Sequence, residues 1–244
     1  MALSSVSRLL GFDSDFRELQ RAVERLELKK GSETGSKGAP AGEKTFNGEL
    51  LGEYPLLEPD NIFARFALQH PILEVANAYF GMYTRLRYYN VWHTFATKDQ
   101  ARQSQLWHRD REDFKILKVF VYLSDVDEGA GPLTYAMGSQ LSRGLRRNPE
   151  YFVEGGVKRS NDAQMAAVVP PSEWLKATGP RGTIVFADTS GYHKGGLARE
   201  RDRLMYVCMF TSPASQSKEL FRRCGEPARS TNKALTFALS KPSH

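Results

Sequence analysis

The sequence predicts a mainly β protein with flanking helices, built as an antiparallel sandwich or barrel. Three observations carry this. Short runs rich in β-branched and aromatic residues recur from residue 85 onward, each bounded by Gly, Pro or Asp turn signals. Few helix-periodic stretches separate them, so the strands join by turns and not by crossover helices. The two clear helical patterns both lie ahead of the first strand.

In chain order, "SDFRELQRAVERLELKK" sets Phe16, Leu19, Val23 and Leu26 at three- and four-residue steps. That is one face of an amphipathic helix, with Asp13 or Ser14 as N-cap. "GSETGSKGAPAGEK" (31–44) has no core residues and reads as a flexible linker. "PDNIFARFALQHPILEVANAYFG" (59–81) reads as helix in two pieces, broken at Pro71 and ended at Gly81.

Five strands follow: "RLRYYNVWHTF", "FKILKVFVYLSDV", "PLTYAMGSQ", "GTIVFADTSGYH" and "RLMYVCMFTSP". Residues 141–181 are polar, Pro-punctuated and without a strong pattern, which suits a lid over a site. Residues 214–244 read as an irregular basic tail. The expected organisation is 1–45 as N-terminal helix and linker, 46–213 as the main domain with its 141–181 insertion, and 214–244 as tail.

The chain of 244 residues carries a net charge of +6, with a pI near 9.3. That balance permits anionic partners, but the basic excess of the tail reads first as a solvated surface, so nucleic acid is not the expected partner. Cys208 and Cys224 are the only cysteines. Two cysteines give neither a disulfide framework nor a zinc-finger pattern, and Cys208 falls in an apolar run that predicts an inert, buried thiol. No apolar stretch reaches the roughly 18 residues of a membrane span. The N-terminal "MALSSVSRLLGF" lacks the h-region of a signal peptide, so a soluble, cytoplasmic protein is expected. Nothing in the pattern specifies an oligomer.

The chemistry begins at "QLWHRDRED" (105–113). His108 and Asp110 are two apart, and in a strand such residues share a face. Alone, the pair reads equally as an exposed charged loop. His193 ends a later strand. Two imidazoles and one carboxylate are the set that suits non-heme Fe(II), leaving open positions for a co-substrate and O2. The co-substrate 2-oxoglutarate chelates iron through its keto-acid end, and its far carboxylate needs a fixed cation. Arg203 opens the strand after His193, and its planar fork matches a carboxylate.

Taken in order, "WHRDREDFKILKVFVYLSDVDEGAGPLTYAMGSQ", "GTIVFADTSGYHKGG" and "RDRLMYVCMF" resemble the phytanoyl-CoA dioxygenase family of Fe(II)/2-oxoglutarate oxygenases, over roughly residues 83–212. The resemblance implies a double-stranded β-helix (jelly roll, cupin-like). It implies His108, Asp110 and His193 as iron ligands and Arg203 as the co-substrate arginine. The implied activity is hydroxylation of a small-molecule metabolite with release of succinate and CO2. A macromolecule-modifying oxygenase and a non-catalytic jelly-roll binding protein are the alternatives. Two positions depart from the family: Gln140 stands where a histidine is usual, and the interval from His193 to Arg203 is one residue short. Asp110 favours hydroxylation over halogenation, because related halogenases lack that carboxylate.

Further candidates flank this set. Lys118 alternates with Ile116, Phe120 and Tyr122, opposite Val119, Val121 and Leu123. It reads either as part of a cavity wall that holds 2-oxoglutarate, with Phe120 lining the pocket, or as a solvated lysine. Asn90 is a candidate for the co-substrate. Trp92, His93, Trp107 and Tyr122 are candidates for the substrate pocket, with ordinary packing as the competing reading.

Overall fold

The computed structural model describes residues 2–5, 12–33, 46–58, 60–143, 145, 147–223 and 231–241. Strand β1 (Ala2–Ser5) precedes helix α1 (Phe12–Glu33). Strands β2 (Asn47–Glu49) and β3 (Leu56–Leu57) lead into α2 (Ile62–Ala67) and α3 (His70–Phe80). Then come β4 (Arg85–Thr94), β5 (Ile116–Tyr122), β6 (Thr134–Ala136), β7 (Phe152–Glu154) and β8 (Val157–Arg159). Helix α4 (Asp162–Ala166) is followed by β9 (Trp174–Lys176), β10 (Thr183–Asp188), β11 (His193–Lys194), β12 (Arg203–Thr211), β13 (Arg222–Arg223) and α5 (Lys233–Ala238).

A six-stranded sheet in the order β1-β10-β5-β12-β4-β2 is the main layer, and every pairing in it is antiparallel. A smaller sheet, β11-β6-β9, forms a second layer. The mainly β, antiparallel expectation therefore holds.

Both faces of the main sheet are buried, and residue parity decides which core each side chain enters. Leu117, Val119 and Val121 of β5 join Tyr89 and Val91 of β4 and Tyr206 and Cys208 of β12 beneath α1, α2 and α3. The opposite parity puts Ile116, Phe120, Tyr122, Met205, Val207 and Met209 into a second core with Leu133 and Ala177, which adjoin β6 and β9. The site opens into this second core.

Helix α1 docks through Leu19, fully buried, and Val23. Burying one such side chain stabilises by about 1.5–3 kcal/mol. The surface pair Arg65–Glu18 at 2.5 Å adds little beside that.

Four expectations change. Helix α1 runs to Glu33, so it takes the first residues of the stretch read as linker, and 34–45 lie outside the described residues. The break in 59–81 falls at Leu68–Gln69, and Pro71 sits in the first turn of α3, where its missing N–H costs nothing. Gly81 does end α3, in a left-handed cap at φ 72°.

Residues 141–181 are not without structure. They contain the β7–β8 hairpin, α4 and β9. Trp107, Ala136, Met165 and Val169 form a third core there.

The tail is not irregular throughout. β13 pairs in parallel with β3, and Phe221, Ala238 and Leu239 are buried in the first core. A short apolar set spread over a long polar stretch gave no periodic signal, while α3 and β4 supply the surface that those residues cover.

Candidate metal centre

The H-x-D segment forms no strand of its own, contrary to expectation. Only Trp107 and His108 make bridge pairs, with Ser160 and His193. The backbones of His108 and His193 exchange two hydrogen bonds of 3.0 Å each, so the two ligand candidates sit directly opposite. Asp110 N–H donates to Thr189 O at 3.0 Å. The segment is thus sewn to the loop that carries His193.

His108, Asp110 and His193 form a cluster able to hold a metal ion, with ligand atoms all within 4.8 Å of one another. His108 Nε2 lies 3.9 Å from Asp110 Oδ1, and His193 Nε2 lies 3.7 Å from Asp110 Oδ2. Each imidazole uses its other nitrogen on a backbone carbonyl: His108 Nδ1 with Leu106 O at 2.8 Å, His193 Nδ1 with Gly191 O at 2.9 Å. A carbonyl only accepts, so Nδ1 carries the proton and Nε2 keeps its lone pair facing the cluster. Burial pulls both imidazoles below the usual histidine range, which keeps them neutral.

Burial alone would raise the Asp110 carboxyl, but the Lys118 ammonium, together with the His193 and His108 rings, holds the group well below the usual range. Lys118 Nζ is 2.6 Å from Asp110 Oδ2. The cluster therefore offers two neutral nitrogen donors and one ionised oxygen donor.

Gly191 shapes the turn before His193. A Cβ there would lie 2.0 Å from Tyr135 Oη and 3.1 Å from Gln140 N, so no larger residue fits. Asp188 anchors the same turn. Its carboxylate accepts from Ile116 N, Ser190 N and Tyr79 Oη, and its backbone carbonyl accepts from Tyr135 Oη at 2.8 Å. The "GTIVFAD" motif thus ends in a residue that ties the helical layer to the metal loop.

The cluster lines a cavity of about 510 Å³, the size of a small-molecule site. Arg203 lines it too. It opens β12 on the parity of Met205 and Met209 and is only 4% exposed. Its Nη2 makes one long bond, 3.4 Å, to Thr94 Oγ1, while Nε and Nη1 have no partner. Burial lowers the guanidinium to about 10. A buried guanidinium with free donors fits an incoming carboxylate. Donor set and arginine together fit a divalent metal with a dicarboxylate.

The other candidates divide. Lys118, Phe120 and Trp92 line the cavity. Asn90 does not: its amide serves Leu51 N and Gly52 O and shapes the turn after β2. His93 lies outside, between Glu27 and Asp202, stacked on Phe95. Trp107 packs on Trp174 and donates to Asp162. The Tyr122 hydroxyl is spent on Ala177 O.

Arg159 was missed. It lines the cavity from the 141–181 segment, 8% exposed, with Nε and Nη1 unpartnered. Its stretch, "GGVKRS", carries no local signal, because its place comes from the pairing of Ser160 with Trp107.

No model of a known family matches the chain, and no curated protein matches it. Solved structures do. The epimerase SnoN, in complex with Fe3+, alpha ketoglutarate and nogalamycin RO, is 15% identical with a TM-score of 0.56, over 95% of this chain and 85% of that one. EctD from S. alaskensis with bound Fe is 15% identical at 0.57, over 93% and 80%. HygX from Streptomyces hygroscopicus, with nickel and 2-oxoglutarate, is 13% identical at 0.51, over 85% and 81%. At these identities the likeness is one of fold.

Proposed function

We propose that the chain is a non-heme Fe(II)/2-oxoglutarate oxygenase of the phytanoyl-CoA dioxygenase type, on a double-stranded β-helix, that hydroxylates a small-molecule metabolite. One observation carries the reading. The unpartnered guanidinium of Arg203 and the His108–Asp110–His193 cluster line the same cavity. A structural metal site needs no such arginine. A 2-oxo dicarboxylic acid needs both, one for each end.

When bound, the iron couples O2 to oxidative decarboxylation of 2-oxoglutarate, giving succinate, CO2 and an oxidised substrate. The protein's residues have narrower tasks. His108 and His193 present neutral Nε2 donors because their Nδ1 protons are held by Leu106 and Gly191. Asp110 stays ionised beside Lys118. Arg203 fixes the far carboxylate of the co-substrate and so its orientation. Phe120, Trp92 and Met205 make an apolar wall that keeps water from the reacting end. The structures similar to this one include an epimerase and a carbocyclase as well as oxygenases, so the scaffold carries several oxidative outcomes.

The cavity suits a small substrate better than a polymer, since the cluster and Arg203 are both buried. The test is turnover of 2-oxoglutarate to succinate by protein supplied with Fe(II) and O2. Wild-type protein produces succinate, and His108→Ala abolishes it. Equal succinate formation by both proteins, or none by either with tight Fe(II) binding lost as well, sinks the reading.

A further inference from the structure

The cavity is lined by more cations than this chemistry requires. Arg203 takes the far carboxylate of 2-oxoglutarate, the metal takes the near end, and Lys118 is committed to Asp110. Arg159 remains. Its guanidinium forms no ion pair among the described residues, and Nε and Nη1 have no hydrogen-bond acceptor. It stands on β8, whereas Arg203 stands on β12. A buried, unpaired cation is costly, and an anion brought to it relieves that cost.

The hairpin backbone that carries Arg159 is fastened in place. Ser160 N–H donates to Trp107 O and Trp107 N–H to Ser160 O, each at 3.0 Å, one residue away from His108. Glu154 Oε2, on the partner strand of the same hairpin, accepts from Gln103 N at 2.8 Å. Arg111 Nη1 reaches Gly156 O at 3.5 Å. The hairpin is thus fastened to the segments on both sides of the metal ligands. Glu154 and Asp110 are the carboxylates whose fields reach Arg159, with Arg111 opposing, but neither carboxylate contacts it.

We infer that Arg159 is the specificity residue for the substrate: the cavity takes a small molecule with an anionic oxygen group, carboxylate or phosphate, on an apolar body. The inference rests on the oxygenase reading. Arg159 Nε and Nη1 grip the anion, and Trp92, Leu133 and Met205, which line the same cavity, meet the apolar part. Arg159 and the cluster of His108, Asp110 and His193 line one cavity, so a molecule held by the guanidinium lies in the space that the cluster faces.

The experiment is calorimetric titration of protein loaded with Mn(II) and 2-oxoglutarate, using phenylacetate, phenyl phosphate and the neutral 2-phenylethanol. At least one anionic probe binds the wild-type protein about ten- to hundredfold tighter than the neutral one, the range for a charge-assisted contact. Arg159→Gln removes that preference, and Arg159→Lys keeps part of it. Preference for phenyl phosphate over phenylacetate assigns a phosphoryl group, and the reverse assigns a carboxylate. Equal affinities, or no binding, in the loaded wild-type protein overturn the inference without any variant. So does a loss of 2-oxoglutarate affinity in Arg159→Gln as large as the loss for the probe, which makes Arg159 a co-substrate ligand. Failure of wild-type protein to take up Mn(II) and 2-oxoglutarate is a different result and sinks the oxygenase reading instead.

Discussion

The Lys118 ammonium stands 2.6 Å from Asp110 Oδ2, inside the cavity and not on an outer face. Strand parity put it there, since β5 places Lys118 on the side of Phe120 and Tyr122. The contact resolves the two readings of this lysine in favour of the cavity wall, with the metal-cluster carboxylate as its partner. Lys118→Met frees one oxygen of Asp110 and leaves the carboxylate without its orienting cation. Metal affinity then falls about 10–100-fold, the usual cost of losing a group that positions a ligand. Titration with Mn(II) reads this, and tighter binding by the variant makes Lys118 a competitor of the metal instead.

The converse change strands the cation. Asp110→Ala leaves Lys118 buried without a carboxylate, which costs about 3–5 kcal/mol in urea unfolding of the metal-free protein. The double variant Asp110→Ala/Lys118→Met removes both charges and recovers part of that loss. A double variant as unstable as the sum of the singles means the pair is not coupled.

Arg203 trades stability for binding. Arg203→Met fills the same space without a buried charge, so the variant melts at or above the wild-type temperature while 2-oxoglutarate affinity drops at least about tenfold. The guanidinium, lowered to about 10 by burial, keeps its charge well above neutrality. The charged form binds the carboxylate, so affinity is full below that value and is lost only as pH rises through it. Equilibrium dialysis of 2-oxoglutarate between about pH 6 and about pH 9 therefore shows a flat profile. A fall in affinity within that window removes Arg203 from the role.

Asp188 couples the helical layer to the metal loop. Asp188→Ala leaves Ile116 N and Ser190 N without an acceptor and Tyr79 Oη without its partner. Unmet buried donors cost about 1–3 kcal/mol each. Tyr79→Phe removes only one contact and costs about 1 kcal/mol. Urea denaturation separates the two, and an Asp188→Ala loss no larger than that of Tyr79→Phe means the backbone contacts contribute nothing.

Cys208 sits at the centre of β12, fully buried, with its thiol pushed far above the usual range by burial alone. Iodoacetamide leaves it unmodified in native protein at neutral pH and modifies it in urea. Mass spectrometry of the peptide 203–211 reads the difference, and native alkylation there shows that β12 opens to solvent.

Much of this was legible from residues alone. The five long strand patterns, the amphipathic α1 and the cap at Gly81 are short-range matters of period and turn chemistry, and they appear where the pattern put them. The ordered series from His108 to Arg203 also places its four members around one cavity. The side candidates fared unevenly for one reason. Trp92, Asn90 and His93 are consecutive or nearly so on β4, and only the neighbouring chain decides what each meets. Gly52 O claims the Asn90 amide, and Asp202 claims the His93 ring.

By itself the sequence determined a mainly β chain, the donor types of a metal cluster and the arginine that accompanies them, because alternation and motif order are properties of the chain. The tertiary structure decided which of those residues share a cavity. It put Lys118 on Asp110, folded Phe221 and Leu239 of the tail into the core, and brought Arg159 into the cavity lined by the candidate metal ligands. Those outcomes depend on contacts between residues far apart in sequence, where the gain lies in burial and charge pairing that no local pattern encodes.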